Sequence, residues 1–312
     1  NGRWGELKLD NDGTNFVGLM MDTDDLYYVM ISTNSGVNTN KIICIGGNDG
    51  QTEIDGDGSV VVYSIYGASN CFVSADSGVN WTERFPAGAD GTTQIQDIAC
   101  SDDGSKIVVV TNVRSWLSTN TGATWAQIYP TGLIEDMCFN YVDMDADGTF
   151  LIAAIDADAL YYSSNSGATW ANKSVIGGSG TTTRISCDDD GSVIVQSASS
   201  RKVYISVNSG STFTDVSPLG HSTTLWGIDL DADGSCILLG YGDHIALSID
   251  TGTNWTDVVP GVTYTPHDWM NIAITDTDGS IYLGNSTYTS DLYYNSPASA
   301  SSPGMVNCIL LE

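Results

Sequence analysis

The chain has 312 residues, 38 of them acidic and 10 basic, for a net charge of −28 at pH 7. A surface this acidic repels nucleic acid and anionic membranes, which excludes both as expected partners. No run of the sequence approaches the ~18 apolar residues that span a bilayer as a helix, so no transmembrane segment is expected.

In chain order the first recurring signal is the pair Asp-Gly. Such pairs begin at Asp12, Asp57, Asp103, Asp147, Asp190, Asp233 and Asp278. Apolar runs flank them, such as Ile-Val-Val-Val at 107–110, Phe-Leu-Ile-Ala at 150–153 and Ile-Leu-Leu at 237–239. Asp-Gly between two such runs predicts a hairpin, because Gly adopts positive φ freely and Asp tolerates it. The second signal is a box, Ser-x-Asp/Asn-x-Gly, beginning at Ser32, Ser74, Ser118, Ser163, Ser206 and Ser248, in steps of 42, 44, 45, 43 and 42 residues. Three residues after the box Gly stands Trp81, Trp125, Trp170, Phe213 or Trp255, with Thr39 in the first copy. A period in the forties marks a propeller or solenoid.

One unit then reads as four strands. Strand A enters the Asp-Gly turn and strand B returns. A polar loop leads to strand C, which enters the box, and strand D starts at the aromatic residue. Four D strands stop at Pro86, Pro130, Pro218 and Pro260; Pro cannot donate to a ladder and suits an outer edge. The last unit keeps Leu292-Tyr-Tyr, like Leu160-Tyr-Tyr, but its box has decayed to Asn295-Ser-Pro-Ala. Seven units of about 44 residues cover the chain. The expectation is all-β: one domain over 1–312, a seven-bladed β-propeller of four-stranded antiparallel blades closed into a ring.

Each box residue has a physical task. The Asp or Asn accepts backbone amides of its own turn, Gly takes the left-handed conformation, and the aromatic fills the space between neighbouring sheets. The boxes use Asp at 76 and 250 and Asn at 34, 120, 165 and 208. The accepting oxygen therefore matters more than the charge.

These boxes resemble the Asp-box, or bacterial neuraminidase (BNR) repeat, Ser/Thr-x-Asp-x-Gly-x-Thr-Trp. The stretches from Ser118 to Trp125 and from Ser163 to Trp170 match it with Asn in place of Asp. The resemblance implies an Asp-box propeller and says little about activity. The repeat occurs in sialidases, xyloglucan-cleaving hydrolases, sortilin-type receptors, photosystem assembly factors and secreted proteins, and in all of them it lies away from the active site. Sialidases use three arginines, the first in a Phe/Tyr-Arg-Ile-Pro motif before the first box, with an Asp acid/base and a Tyr–Glu nucleophile pair. Here Asn1-Gly-Arg3-Trp4 stands at that place, and Glu83-Arg-Phe-Pro86 follows a box instead. The chain holds five arginines and five glutamates, and the sialidase catalytic set is not recognisable.

In a propeller the D-to-A and B-to-C loops share one face, where binding sites are usually built. Arg84, Arg114, Arg184, Arg201, His267, Asp268 and Trp269 are the ligand-binding candidates there, with His221, Trp226 and His244 nearby. Trp226 and Trp269 also read as core residues starting A strands. Calcium needs six to eight oxygens, and Asp22, Asp24, Asp156 and Asp158 in B-to-C loops are the metal candidates. The repeated Asp-x-Asp-Gly reads equally as an Asx-stabilised turn. Three histidines without metal spacing and seven cysteines without a CxxC pair offer no zinc site. Cys308 is the candidate for an intermolecular bond, since seven cysteines cannot all pair within the chain. Asn80, Asn172, Asn254 and Asn285 open Asn-x-Ser/Thr sequons and are glycosylation candidates in a secreted protein.

The expectation is therefore a non-catalytic, extracellular or cell-surface propeller. It would act as a structural or adhesive module meeting a glycan or protein partner on its loop face, with self-association into a filament as a further role. The alternative is a glycoside hydrolase, sialidase-like or glucan-cleaving.

Overall fold

The structure is a computed structural model. It describes all residues except 1, 23, 25, 36–38, 44–49, 65–69, 85–93, 129–138, 156–158, 174–181, 199–201, 219–224, 242–244, 259–270, 276–280, 285–291, 296–308 and 312. Among the described residues the strands form seven four-stranded sheets, each ordered along the chain and antiparallel throughout, beginning with Gly2–Leu9, Phe16–Asp22, Tyr27–Ser32 and Asn40–Ile43. The fold is a β-propeller with four-stranded antiparallel blades.

The first strands of the sheets are Gly2–Leu9, Thr52–Ile54, Ile95–Cys100, Tyr141–Met144, Thr182–Cys187, Leu225–Leu230 and Asn271–Ile274. Each lies beside the first strand of the next sheet, and Asn271–Ile274 returns to lie beside Gly2–Leu9. The second strands with described side chains are buried on both faces, as in Ile107–Thr111, Leu151–Ile155 and Ile237–Tyr241. This explains why they read as unbroken apolar runs rather than as an alternation. The fourth strands are short, down to two exposed residues at Ala171–Asn172 and Thr214–Asp215.

The core lies between blades. Trp81 packs edge-on to Tyr63 with ring centroids 4.9 Å apart, in a cluster that joins Val17, Val29 and Ile31 of the first sheet to Ile54 and Val61 of the second. Trp170 lies 5.1 Å from Phe139, in a cluster that joins the third and fourth sheets. Trp125, Phe213 and Trp255 hold the equivalent places between the second and third, fourth and fifth, and fifth and sixth sheets. Ala273 of the last sheet packs with Leu7, Phe16 and Met20 of the first.

The turns behave as local chemistry dictates. In each described Asp-x-Asp-Gly hairpin the first carboxylate accepts the amide five residues on, at 2.8–2.9 Å for Asp10, Asp55, Asp145, Asp188 and Asp231. Ser101 does so through its hydroxyl. The second carboxylate accepts the amide two residues on. In the box, the Asp or Asn Oδ1 accepts the amide four residues on at 2.7–2.8 Å, whether the residue is Asp76 or Asn120. The box differs from expectation in one respect. The residue before the Gly is also left-handed, with φ of 50–54° at Ser35, Ser77, Thr121, Ser166, Ser209 and Thr251. The amide of this residue reaches the hairpin of the same blade, as from Thr121 to the Ser105 carbonyl at 3.0 Å. That bond holds it in a conformation unfavourable for a β-branched side chain, and it places boxes and Asp-Gly hairpins at the same end of the propeller.

Candidate functional site

The first strands leave one edge unpaired, and that edge faces the axis. Unpaired amides in such a place need acceptors. The sequence supplies them as acidic side chains that reach from one blade to the next. Glu6 accepts the backbone amide of Thr52 and its hydroxyl at 3.1 Å. Asp97 accepts the Val142 amide at 2.9 Å. Asp143 accepts the Ser186 hydroxyl and the Cys187 amide, both at 2.9 Å, and Asp229 accepts the Ile274 amide at 2.8 Å. Beyond these braces, at the hairpin end, the residues before successive Asp-Gly pairs join backbone to backbone: Asn11 to Gly56, Gly56 to Asp102, Asp102 to Ala146, Ala146 to Asp189 and Asp189 to Ala232, at 2.9–3.2 Å. Asn11 also donates to the Asp102 carboxylate at 3.0 Å, and its side chain lies where a Cβ on Gly56 would stand. That end of the axis is narrowed by the chain itself.

Above it lies a cavity of ≈ 590 Å³ lined by the first strands. Tyr27, Gln51, Asn140, Tyr141, Arg184 and Trp226 line its outer part, where Glu6 and Asp97 stand at the register of Gln51, Tyr141 and Arg184, six residues before an Asp-Gly pair, and Lys8, Glu53 and Asp143 line it two residues deeper. Lys8 pairs with Glu53 at 2.6 Å. Burial alone would lower the Lys8 pKa, but the charges of Glu53, Glu6, Asp143 and Asp229 outweigh it and raise it well above the ordinary value. Burial pushes Glu53 up to about 7 despite Lys8. Burial, reinforced by the charges of Asp97 and Glu53, pushes Glu6 up to about 8. Burial likewise lifts Asp97 to about 6 and Asp229 to about 7, and raises Asp143. The site is ringed by protein and yet wet, since the Lys8 and Glu53 side chains keep 37% and 14% of their surface accessible.

Of the residues expected on the loop face, Arg184 enters this cavity and lies over the Tyr141 ring at 5.0 Å. Trp226 lines it and is 36% exposed rather than sunk in the core. Arg114 is exposed in the turn between Ile107–Thr111 and Ser115–Ser118, away from the cavity lining. Arg84 ends the outer strand Thr82–Arg84, and its Cγ lies 3.2 Å from where a Cβ on Gly122 would stand, against the box of the next blade. The lateral packing of an outer strand carries its last residue to the neighbouring box rather than to the loop face. Arg201, His267, Asp268, Trp269, His221 and His244 lie outside the described residues.

Among the metal candidates, Asp24 is exposed in a turn, Asp22 ends the strand Phe16–Asp22, and Asp156 and Asp158 lie outside the described residues. Among the described residues no group of three or more His, Cys, Asp or Glu is arranged to hold a metal ion. Asn80 and Asn254 are parts of boxes, donating to the Asp76 and Asp250 carboxylates at 2.7 and 2.6 Å. Asn172 donates to the Tyr161 hydroxyl at 3.0 Å. Asn285 and Cys308 lie outside the described residues.

The inner carboxylates were not singled out from sequence. Their signal is a register: Glu53, Asp143 and Asp229 each stand four residues before an Asp-Gly pair, where Lys8 stands in the first unit.

No protein-family model matches the chain, and no curated protein matches it. Solved structures do. The chain is similar to a structure of YCF48 bound to D1 peptide, with a TM-score of 0.67 at 14% identity, over 91% of each chain. It is also similar to the GH74 enzyme of Niastella koreensis, with a TM-score of 0.55 at 14% identity, over 96% of this chain and 64% of the enzyme. At such identities the likeness is one of fold. No helix among the described residues is long and apolar enough to cross a membrane.

Proposed function

We propose that the chain is a non-catalytic binding propeller, extracellular or at the cell surface. In this reading it has seven blades with Asp-box turns, and it meets a protein or glycan partner at the mouth of its axial cavity. The observation that carries the reading is the use of the inner carboxylates. Asp97 and Asp143 each accept backbone amides through both oxygens, and Glu6 and Asp229 also accept amides of the next blade. Groups so engaged hold strands together. A glycosidase instead needs one carboxyl free to protonate the leaving group and a second at a set separation. The outer part of the cavity, with Tyr27, Tyr141, Trp226, Gln51 and Asn140, offers aromatic faces and amides suited to binding.

The YCF48 structure, a propeller with a bound peptide, supports a protein partner, and the GH74 enzyme keeps a hydrolase in view. One observation favours the latter: Glu6 holds its proton to about 8 beside Asp97 at about 6, a division that suits an acid and a base. A screen of fluorogenic sialosides and glucan oligosaccharides decides between them. No turnover is expected. Hydrolysis abolished by Glu6→Gln or Asp97→Asn would overturn the binding reading.

A further inference from the structure

The geometry points to one ligand class for this cavity: a lysine or arginine side chain presented by an extended segment of a partner protein. This rests on the binding reading above and names what binds.

Charge is the first argument. Glu6, Glu53, Asp97 and Asp143 line the cavity against Lys8 and Arg184. Lys8 is engaged by Glu53 and Arg184 lies over Tyr141, so an incoming cation meets the remaining carboxyls, Glu6, Asp97 and Asp143, and favours their ionised forms, within a chain of net charge −28. That overall charge also steers basic segments toward it. The collar is the second argument. Arg184 over Tyr141 shows a guanidinium already resting on this aromatic rim, and Trp226 and Tyr27 offer further faces for the same interaction. Depth is the third. Tyr141 and Asp143 share one face of a strand, as residues two apart do. At a rise of about 3.3 Å per residue Asp143 lies roughly 7 Å below Tyr141. An extended Lys or Arg side chain spans such a depth, its apolar stem on the aromatic collar and its charge among Glu6, Asp97 and, deepest, Asp143. A sugar ring has no stem to make that passage, and the hairpin end is narrowed by Asn11 and its neighbours.

The test is calorimetry at low salt with the peptide acetyl-Gly-Gly-Arg-Gly-Gly-amide, its citrulline counterpart, and a glucosamine trimer. The arginine peptide is expected to bind, and citrulline is expected to weaken binding about tenfold or more. Glu6→Gln keeps an oxygen for the Thr52 amide and removes only the ionisable group; Trp226→Ala trims the rim. Each is expected to weaken the arginine peptide about tenfold with little change in melting temperature. Equal affinity for citrulline, indifference to both substitutions, or no peptide binding at all would overturn the proposal. Preference for the glucosamine trimer would also overturn it while leaving the binding propeller intact. Hydrolysis of the trimer would overturn the binding reading itself.

Discussion

Replacing Asp143 by Ala tests whether the axial carboxylates hold the blades together. Asp143 accepts three hydrogen bonds: Met144 N–H at 2.9 Å through Oδ1, and the Ser186 hydroxyl and Cys187 N–H at 2.9 Å through Oδ2. A buried donor left unmade costs about 1–3 kcal/mol. Water enters this cavity, so the low end of that range applies to each donor. The lost charge also returns something, because burial had raised the carboxyl's pKa. The expected cost is about 2–3 kcal/mol for Asp143→Ala and about 1 kcal/mol for Asp143→Asn, whose single carbonyl oxygen serves one side only. Urea unfolding followed by tryptophan fluorescence reads both. Adding Ser186→Ala to Asp143→Ala should cost almost nothing further, since its partner is already gone. A neutral Asp143→Ala would show that water serves these amides as well as the carboxylate does, and the bracing argument would fail.

Stability should fall from pH 5 to pH 8. Glu6, Glu53, Asp97 and Asp229 hold protons up to about 8, 7, 6 and 7, so between the ordinary 4.5 of an unfolded Glu and about 8 the folded chain binds more protons than the unfolded one. Stability then declines as pH rises through that window, and a melting temperature that climbs from pH 5 to pH 8 would contradict it. Gly104→Ala should destabilise by about 2–4 kcal/mol in thermal unfolding, because φ is 65° and the new Cβ would stand 2.4 Å from Val60 Cγ2; a change under about 0.5 kcal/mol would refute the close packing of that turn. Burial pushes Cys71 up to about 12 and Cys236 to about 11, and raises Cys100 and Cys187 well above the ordinary value. The thiolate is the reactive form, so none of these four should react with maleimide at pH 7 before unfolding, as peptide mapping by mass spectrometry would show.

The fold was legible because its information is local. Asp-Gly hairpins and boxes are set by side chains bonding to their own turns, and Trp81 or Trp170 three residues past a box Gly announces an inter-blade aromatic. The strained Ser or Thr before that Gly was not legible, because its conformation is imposed by a bond to a different hairpin of the blade. The site was half legible. Arg184 and Trp226 follow from their place near the start of an inner strand. Arg84 did not follow, since the packing of its outer strand against the next blade decides where it ends. Glu6, Asp97, Asp143 and Asp229 stood unmarked among 38 acidic residues. Their meaning depends on which strand edge faces the axis, a property of the closed sheet arrangement and not of any local pattern.

The central claim is that function resides at the axial cavity and not at the box face. Glycan and peptide arrays probed with the wild-type chain, Trp226→Ala and Ile249→Ser test it most directly, since Trp226 lines the cavity and Ile249 is 72% exposed in a box. The account predicts a ligand held by wild type and Ile249→Ser and lost by Trp226→Ala. A ligand retained by Trp226→Ala and lost by Ile249→Ser would contradict it.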